Sequence, residues 1–380
     1  MSMSLADALA MVDREMAHGR FTQANAMLRQ LEAQIPNHFD IARRIGYCTA
    51  RLGDLSQASQ HLDALARAGD QASGILLDMV RQALSLPAAA QQVQLDIESL
   101  RHTYFMDYPK TVTIETFSKC NANCVFCPYS TLARKDTLMP DALFHKIIGD
   151  LKQIPAHVPF SIAPFKVNEP FLDKRIFDFC HGINAQLPNA HIQIFSNGST
   201  LTETNLRKLA EVKSVQHLWI SLNHHEKTAY EALMSLRYDQ TLARLKGVHE
   251  AVSQGWLTIP VMVSRVTDGS ADDAAFERFV AETFPGFQIM MVGREDWVGQ
   301  VDIEKQKSSK PHGCTRWYEL SIMSTGEVAL CCMDGQGKHV IGDVNHQSAL
   351  EIYNSPGYRA LRETVRTRQA AAEPCHTCTL

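Results

Sequence analysis

A chain of 380 residues is too long for one compact core and calls for two or three domains. Its 45% apolar and 21% charged content is that of an ordinary globular protein, and a net charge of −4 argues against a large nucleic-acid footprint. No run approaches the ~20 apolar residues of a membrane span, and "MSMSLADALAMVDRE" lacks the basic start of a secretory signal, so the expectation is a cytoplasmic protein without a membrane anchor.

Residues 5–70 carry an internal repeat. Gly19, Phe21, Ala24 and Leu28 return as Gly53, Leu55, Ala58 and Leu62, each 34 residues later. Pro36 closes the first unit and Gly46 falls early in the second. A helix–turn–helix period of this length resembles tetratricopeptide repeats, with small Ala24 and Ala58 letting paired helices approach and glycines turning the chain. Two units are fewer than the roughly three a free-standing array needs, so a helix over 72–85, or docking on the main domain, is expected to cover the end. "SLPAAAQQ" (85–92) reads as a linker.

From about 110 the period changes. "TVTIETF" (111–117), "FSIAPF" (160–165), "HIQIF" (191–195), "QHLWISL" (216–222), "TIPVMVS" (258–264) and "FQIMMV" (287–292) read as strands. Helical patterns at 140–152, 173–186, 202–212, 228–252 and 271–283 alternate with them. That alternation predicts a parallel sheet with crossover helices, and six units suit a partial (β/α)6 barrel better than a closed eight-unit one. The fold class is therefore α/β, with an N-terminal helical repeat segment (1–95), the partial barrel (105–300) and a small cysteine-rich domain (301–380).

Ten cysteines in a cytosolic chain need an explanation other than disulfides. Cys48 and Cys180 sit alone in helical patterns and read as small buried hydrophobes. Cys120, Cys124 and Cys127 are packed just beyond the first strand, where parallel α/β folds collect their chemistry. Thiolates suit zinc or iron–sulfur clusters. A structural zinc site is closed by four ligands, and no fourth stands nearby. A [4Fe–4S] cluster held by three cysteines leaves one iron open for another ligand.

"KCNANCVFCPYS" (119–130) resembles the signature of the radical S-adenosylmethionine (SAM) superfamily. The resemblance implies that Cys120, Cys124 and Cys127 hold a cluster whose open iron takes SAM, and that Phe126 lies near the adenine. It further implies reductive cleavage to a 5′-deoxyadenosyl radical, with an electron donor such as flavodoxin or ferredoxin. Four weaker features follow successive strands in the family's order. "NEP" places Asn168 and Glu169 where the family has Gly-Glu-Pro at the SAM amino group, Asn168 departing from that pattern. "SNG" places Ser196 and Asn197 where the family has Thr-Asn-Gly. Ser221 and Asn223 end the fourth strand, where related enzymes contact the SAM ribose and carboxylate, and Arg265 ends the fifth, in place to pair with the carboxylate. No catalytic acid, base or hydrogen donor is assigned. His224 and His225 either face substrate or, the preferred reading, form an exposed loop pair, and Arg294, Glu295, Asp296 and Trp297 either line the substrate space or form a solvated loop with one anchoring Trp.

Near the C-terminus, Cys314, then Cys331 or Cys332, then Cys375 and Cys378 supply four thiols for a closed site. Residues 319–323 and 327–332 predict a hairpin turning at Thr325-Gly326; strand neighbours face opposite ways, so one of Cys331 and Cys332 ligates, with Cys331 preferred. Four cysteines suit zinc as well as iron. Together with "GEVALC", "IGDV" and the final Cys-x2-Cys, the region resembles the SPASM/twitch extension of radical SAM enzymes and implies one auxiliary [4Fe–4S] cluster. A four-thiolate cluster suits electron transfer, so the net reaction implied is oxidation, by dehydrogenation or cross-linking; redox-neutral epimerisation is the alternative within the family. The substrate is a small polar metabolite or a peptide, protein or carrier-bound group, and the helical repeats suit a protein partner. Outside the family, the competing reading is a non-catalytic zinc-stapled scaffold; the acidic balance speaks against an RNA-modifying enzyme.

Overall fold

The computed structural model describes residues 4–17, 19–303, 310–378 and 380. Two compact units divide the chain. One runs through Thr103 and includes Lys310–Thr315 and Arg366–Ala370; the other starts at Tyr104 and includes Arg316–Val365 and the segment from Ala371.

The first unit is helical: α1 (Leu5–Ala17), α2 (Phe21–Gln34), α3 (Phe39–Arg51), α4 (Leu55–Arg67), α5 (Gln71–Leu84) and α6 (Ala88–Arg101). The repeated positions are core positions. Ala24, Leu28, Ala58 and Leu62 are all fully buried. Leu77, Val80 and Ala83 of α5 and Leu95 of α6 join Ala58 and Leu62 in one cluster, which supplies the cover two repeats lack. The stretch read as a linker is helical from Ala88. Pro87 stands at the N-cap, and the following Ala-Ala-Ala-Gln-Gln are strong helix formers whose propensity outweighs the loop signal of Ser85 and Pro87.

Gly19 and Gly53 turn the chain at φ 73° and 102°, whereas Gly46 lies inside α3, where an added Cβ would stand 2.7 Å from Leu62 Cδ2. Gly46→Ala therefore gains helix propensity, worth up to ~1 kcal/mol, but overpacks the α3–α4 contact at a cost of roughly 1–3 kcal/mol. The expected result is a net loss of stability, read as a lower urea midpoint; an unchanged or higher midpoint would show that the contact relaxes.

The second unit is built on one open sheet. Its strands are β1 (Thr111–Ile114), β2 (Phe160–Ala163), β3 (Ala190–Ser196), β4 (Val215–Ser221), β5 (Val261–Thr267), β6 (Gln288–Gly293), β7 (Glu319–Ile322), β8 (Glu327–Ala329) and β9 (Val340–Asp343). They lie in the order β6-β5-β4-β3-β2-β1-β7-β8-β9. The first six are parallel neighbours in sequence order, as crossover connections require. The crossover helices are α7 (Asp141–Leu151), α8 (Ile176–Gln186), α9 (Glu203–Glu211), α10 (Lys227–Met234), α11 (Tyr238–Ser253) and α12 (Ala271–Thr283). Two short helices follow the last strand, α13 (Ala349–Tyr353) and α14 (Pro356–Thr364). Alternate residues face the helices: Val112 and Ile114, Ile192 and Ile194, Leu218 and Ile220, and Val261 and Val263 share one core with Phe144, Phe179, Leu245 and Phe276.

Two features depart from the sequence reading. The pattern read as one helix over 228–252 breaks into α10 and α11 at Ser235, which is left-handed at φ 55°. No glycine or proline announces the break. The backbone of the cysteine loop supplies its reason: Asn123 N and Val125 N donate to Met234 O and Leu233 O, occupying the C-terminal carbonyls of α10. Secondly, the predicted hairpin exists, turning at Gly326 (φ 96°), but β7 also pairs in parallel with β1 along Thr111–Ile114. The cysteine-rich region thus extends the main sheet by three strands.

Candidate active site

The three-cysteine loop follows β1 at the carboxyl end of the sheet. Besides its bonds to α10, it is tied by Glu169 N donating to Lys119 O at 2.8 Å and by Trp297 Nε1 donating to Phe126 O at 2.9 Å. Cys124 and Phe126 pack against the main core; Cys120 and Cys127 pack beside Tyr129, Leu132, Val167 and Trp297. Cys120 Sγ accepts from Ala122 N at 3.4 Å and faces Asn197 Nδ2 at 3.8 Å. Burial pushes the Cys120 thiol up to about 12 and the Cys127 thiol up to about 11, and burial with the other two cysteines raises Cys124 as well. Thiols so placed become thiolates when a metal supplies the charge, so a three-sulfur donor set for iron fits this loop.

Around it stand the other strand-end residues. Glu169 is fully buried. Its Oε1 accepts from Ser196 Oγ (3.0 Å), Thr200 Oγ1 (2.9 Å) and Phe171 N (3.4 Å), and its Oε2 from Asn197 N (2.7 Å). Burial raises its pKa, against the pull of those donors. Asn197 Nδ2 donates to Asn121 Oδ1 and Asn121 Nδ2 to Ser199 Oγ, so the loop, the β2 end and the β3 end form one network. Asn168 Oδ1 accepts from Lys166 N, while its buried Nδ2 has no hydrogen-bond partner among the described residues. An amide donor left unpaired in a buried site is waiting for an acceptor.

Ser221 is half-buried at the end of β4. Asn223 is buried in a left-handed conformation at φ 66°, with Oδ1 accepting from Val266 N. Arg265 is 1% exposed and already engaged: Nε to Asp273 Oδ1 (2.6 Å), Nη1 to Asn223 O (2.7 Å) and Nη2 to Asp268 Oδ2 (3.1 Å). It locks the β4 and β5 ends together and reaches an anion only with its remaining N–H bonds.

The His224–His225 pair is not an exposed loop. The rings stack at 4.9 Å, with His224 5% exposed and its Nε2 3.4 Å from Asp272 Oδ2. Their ring nitrogens and the Asp272 carboxylate lie close enough together for a metal ion. His224 Nδ1, however, accepts from Glu226 N, which leaves the proton on Nε2 and removes the lone pair a metal would need. His224 is buried and His225 half-buried, with α12 packed over them through Asp272 and Phe279. In "GREDWVGQ", Arg294, Glu295 and Asp296 are half-buried and Trp297 anchors the cysteine loop through its Nε1.

Cys331 and Cys332 lie past the end of β8, in a turn, so the strand-alternation argument does not decide between them. The hydrogen bonding does distinguish them: Cys331 Sγ accepts from Met333 N at 3.4 Å, the same two-residue N–H···S contact that Cys120 makes with Ala122. The turn is held from below by buried Asp334, which accepts from Gly337 N, Lys338 N, His339 N and Gln300 Nε2. Cys375 and Cys378 are half-buried in the second unit, with Cys378 N donating to Cys375 O. Cys314 belongs to the first unit, where Arg368 Nη2 points at its Sγ at 3.5 Å.

Several residues of the site escaped the sequence reading. Lys166 is buried between β2 and Asn168; a lysine amid apolar "FSIAPFKV" was its only signal. Glu115, in apolar "TVTIETF", forms a buried ion pair with Arg134. On the inward face of the sheet, Phe165, Phe195, His217 and Trp219 are half-buried in ring contact at 5.0–6.1 Å, a cluster that only strand pairing brings together.

Comparison with known proteins agrees with this geometry. Residues 114–276 match the model of the radical SAM superfamily, 314–379 that of an iron–sulfur cluster-binding (SPASM) domain and 15–77 that of a tetratricopeptide repeat. The chain is 31% identical over 270 residues to the S-adenosyl-L-methionine-dependent 2-deoxy-scyllo-inosamine dehydrogenase of Niallia circulans, covering 70% of this chain and 91% of that one. Among solved structures it is similar to BtrN in complex with AdoMet and 2-DOIA (TM-score 0.50, 18% identity, 71% and 93% of the two chains). It is also similar to Streptococcus suis SuiB bound to precursor peptide SuiA (TM-score 0.57, 14% identity, 87% and 86%). Three half-buried thiols at a strand end, the strand-end network beside them and these matches have one explanation: the chain is an oxidoreductase of the radical SAM superfamily, using SAM and [4Fe–4S] clusters, with a tetratricopeptide segment before its core and a SPASM domain after it.

Proposed function

We propose that this enzyme dehydrogenates a polar, hydroxyl-bearing small molecule, removing in sum a hydrogen atom, an electron and a proton. The observation that carries this reading is the 31% identity, along 270 residues, to a dehydrogenase of a small polar ring compound. The chemistry the bound groups supply is reductive cleavage of SAM to a hydrogen-abstracting 5′-deoxyadenosyl radical and, at the auxiliary cluster, acceptance of one electron. The protein's part is placement. Cys120, Cys124 and Cys127 give three sulfurs and leave the fourth position to SAM. Phe126 would lie near the adenine, Asn168 would offer its buried Nδ2 to a SAM oxygen, and Ser221 would meet the ribose. Glu169, Ser196 and Asn197 act as one bonded block that shapes the amino-acid end of the pocket. Asn223 and Arg265 close the far side, the arginine largely through the backbone it holds.

The auxiliary ligands in this reading are Cys314, Cys331, Cys375 and Cys378, as the sequence pattern and the span of the SPASM match support; the N–H···S contact favours Cys331 over Cys332. The setting is cytoplasmic, since all ten cysteines are free, and no described helix is long and apolar enough to cross a membrane. The electron donor is a flavodoxin or ferredoxin. A second reading, a peptide or carrier-bound substrate, is favoured by the helical repeats, which in other proteins form partner surfaces.

Anaerobic reconstitution followed by iron and sulfide analysis, then SAM and dithionite, tests the proposal. About eight irons and formation of 5′-deoxyadenosine are expected. Deuterium transfer from a labelled cyclitol into that product supports the small-molecule reading, transfer only from a labelled peptide the second. Zinc in place of iron, with no cleavage, would overturn both.

A further inference from the structure

Lys166 is 2% exposed, yet its ammonium meets no carboxylate among the described residues. Nζ donates instead to Ser321 Oγ at 2.8 Å, Cys331 O at 3.3 Å and Cys332 O at 3.4 Å. An ammonium has three N–H bonds and no lone pair, so three oxygen acceptors match the charged form. The carboxylates nearby are already engaged, Glu115 with Arg134 and Glu319 with Arg316, and the other acidic groups that face Lys166 are the thiols of the turn itself, Cys331 and Cys332. Lys166 and two arginines against two glutamates leave one positive charge in surplus, and Lys110, which also bears on Glu319, widens it. A buried charge without a carboxylate partner is costly, so the arrangement calls for negative charge at the thiols of the turn. That turn presents the Cys331 sulfur.

We propose that Lys166 is the counter-ion of the auxiliary cluster, an inference that rests on the two-cluster reading above. A [4Fe–4S] centre held by four thiolates carries net negative charge and becomes more negative on reduction. A fixed ammonium beneath the Cys331–Cys332 turn therefore stabilises the reduced form and raises the potential, which suits a centre that accepts an electron. The same residue's backbone N–H donates to Asn168 Oδ1 at 2.9 Å, so one three-residue segment touches both the SAM pocket and the auxiliary turn. Lys166 acts through the cluster and is a positioning residue.

The test uses full-length C120A/C124A/C127A protein, in which only the auxiliary cluster remains to titrate. Its midpoint potential is read by EPR-monitored redox titration with Lys166, Lys166→Met, Lys166→Gln and Lys166→Arg. The expected result is a shift to more negative potential in the Met and Gln variants and a return toward the parent value with Arg. Loss of auxiliary iron from Met and Gln but not from Arg supports the same role. An unchanged potential at full iron, or iron loss from all three variants, overturns the inference and leaves the two-cluster reading standing. Absence of iron from the parent background overturns both.

Discussion

Replacing Cys120, Cys124 and Cys127 together with Ala is expected to abolish 5′-deoxyadenosine formation and to lower bound iron from about eight to about four per chain. The loop's backbone is held independently of its sulfurs, by donors and acceptors on Met234, Leu233, Glu169 and Trp297. The change therefore removes ligands without removing the loop's anchors. The three thiols are half-buried, and their surroundings raise their pKa. The measurement is SAM cleavage and iron content in parallel, with circular dichroism as the folding control. Cleavage that survives in a folded triple variant would sink the assignment of the SAM-binding cluster. Loss of all iron would instead overturn the two-cluster reading.

The second large effect is expected at Glu169. Its carboxylate accepts four hydrogen bonds from two segments, Phe171 and residues 196–200, two of them from backbone donors. Glu169→Ala leaves those donors without an acceptor in a buried site, at roughly 1–3 kcal/mol for each one that finds no water. A total of about 3–5 kcal/mol is a large part of the ~5–15 kcal/mol that holds a domain together. The Ala variant should show a much lower urea midpoint. Glu169→Gln keeps the shape but turns an NH2 group toward a donor, so it separates the two roles. It is expected to fold and to lose SAM affinity by roughly 10- to 100-fold, about 1.4–2.8 kcal/mol, measured by calorimetry on reconstituted protein. Parent affinity in the Gln variant would show that the network shapes the fold and not the pocket.

Both effects contrast with Arg265, where the sequence suggested a free partner for a carboxylate. The position at the end of β5 is as expected, but two aspartates, Asp268 and Asp273, share its guanidinium. Asp268 and Asp273 lie three and eight residues further along, and nothing in their spacing says that they fold back on the arginine. The His224–His225 pair is a parallel case: two polar residues after a strand read as an exposed loop pair, and the packing of α12 leaves His224 buried and His225 half-buried.

What the amino-acid sequence determined by itself is what depends on near neighbours. The 34-residue period placed Ala24 and Leu28, Ala58 and Leu62 in the helical core; strand–helix alternation placed six parallel strands; and the spacing of Cys120, Cys124 and Cys127 set three sulfurs in one turn of chain. These are local patterns of period, propensity and spacing. Tertiary structure alone decided which polar groups were paired and which were left over. Glu169 is saturated by a loop about thirty residues away, α10 ends where the cysteine loop takes its carbonyls, and Lys166 reaches Ser321 and the Cys331–Cys332 turn across more than 150 residues of chain. Electrostatic and hydrogen-bond balance in a buried site is a sum over everything brought near. It exists only once β1, β2 and β7 lie side by side.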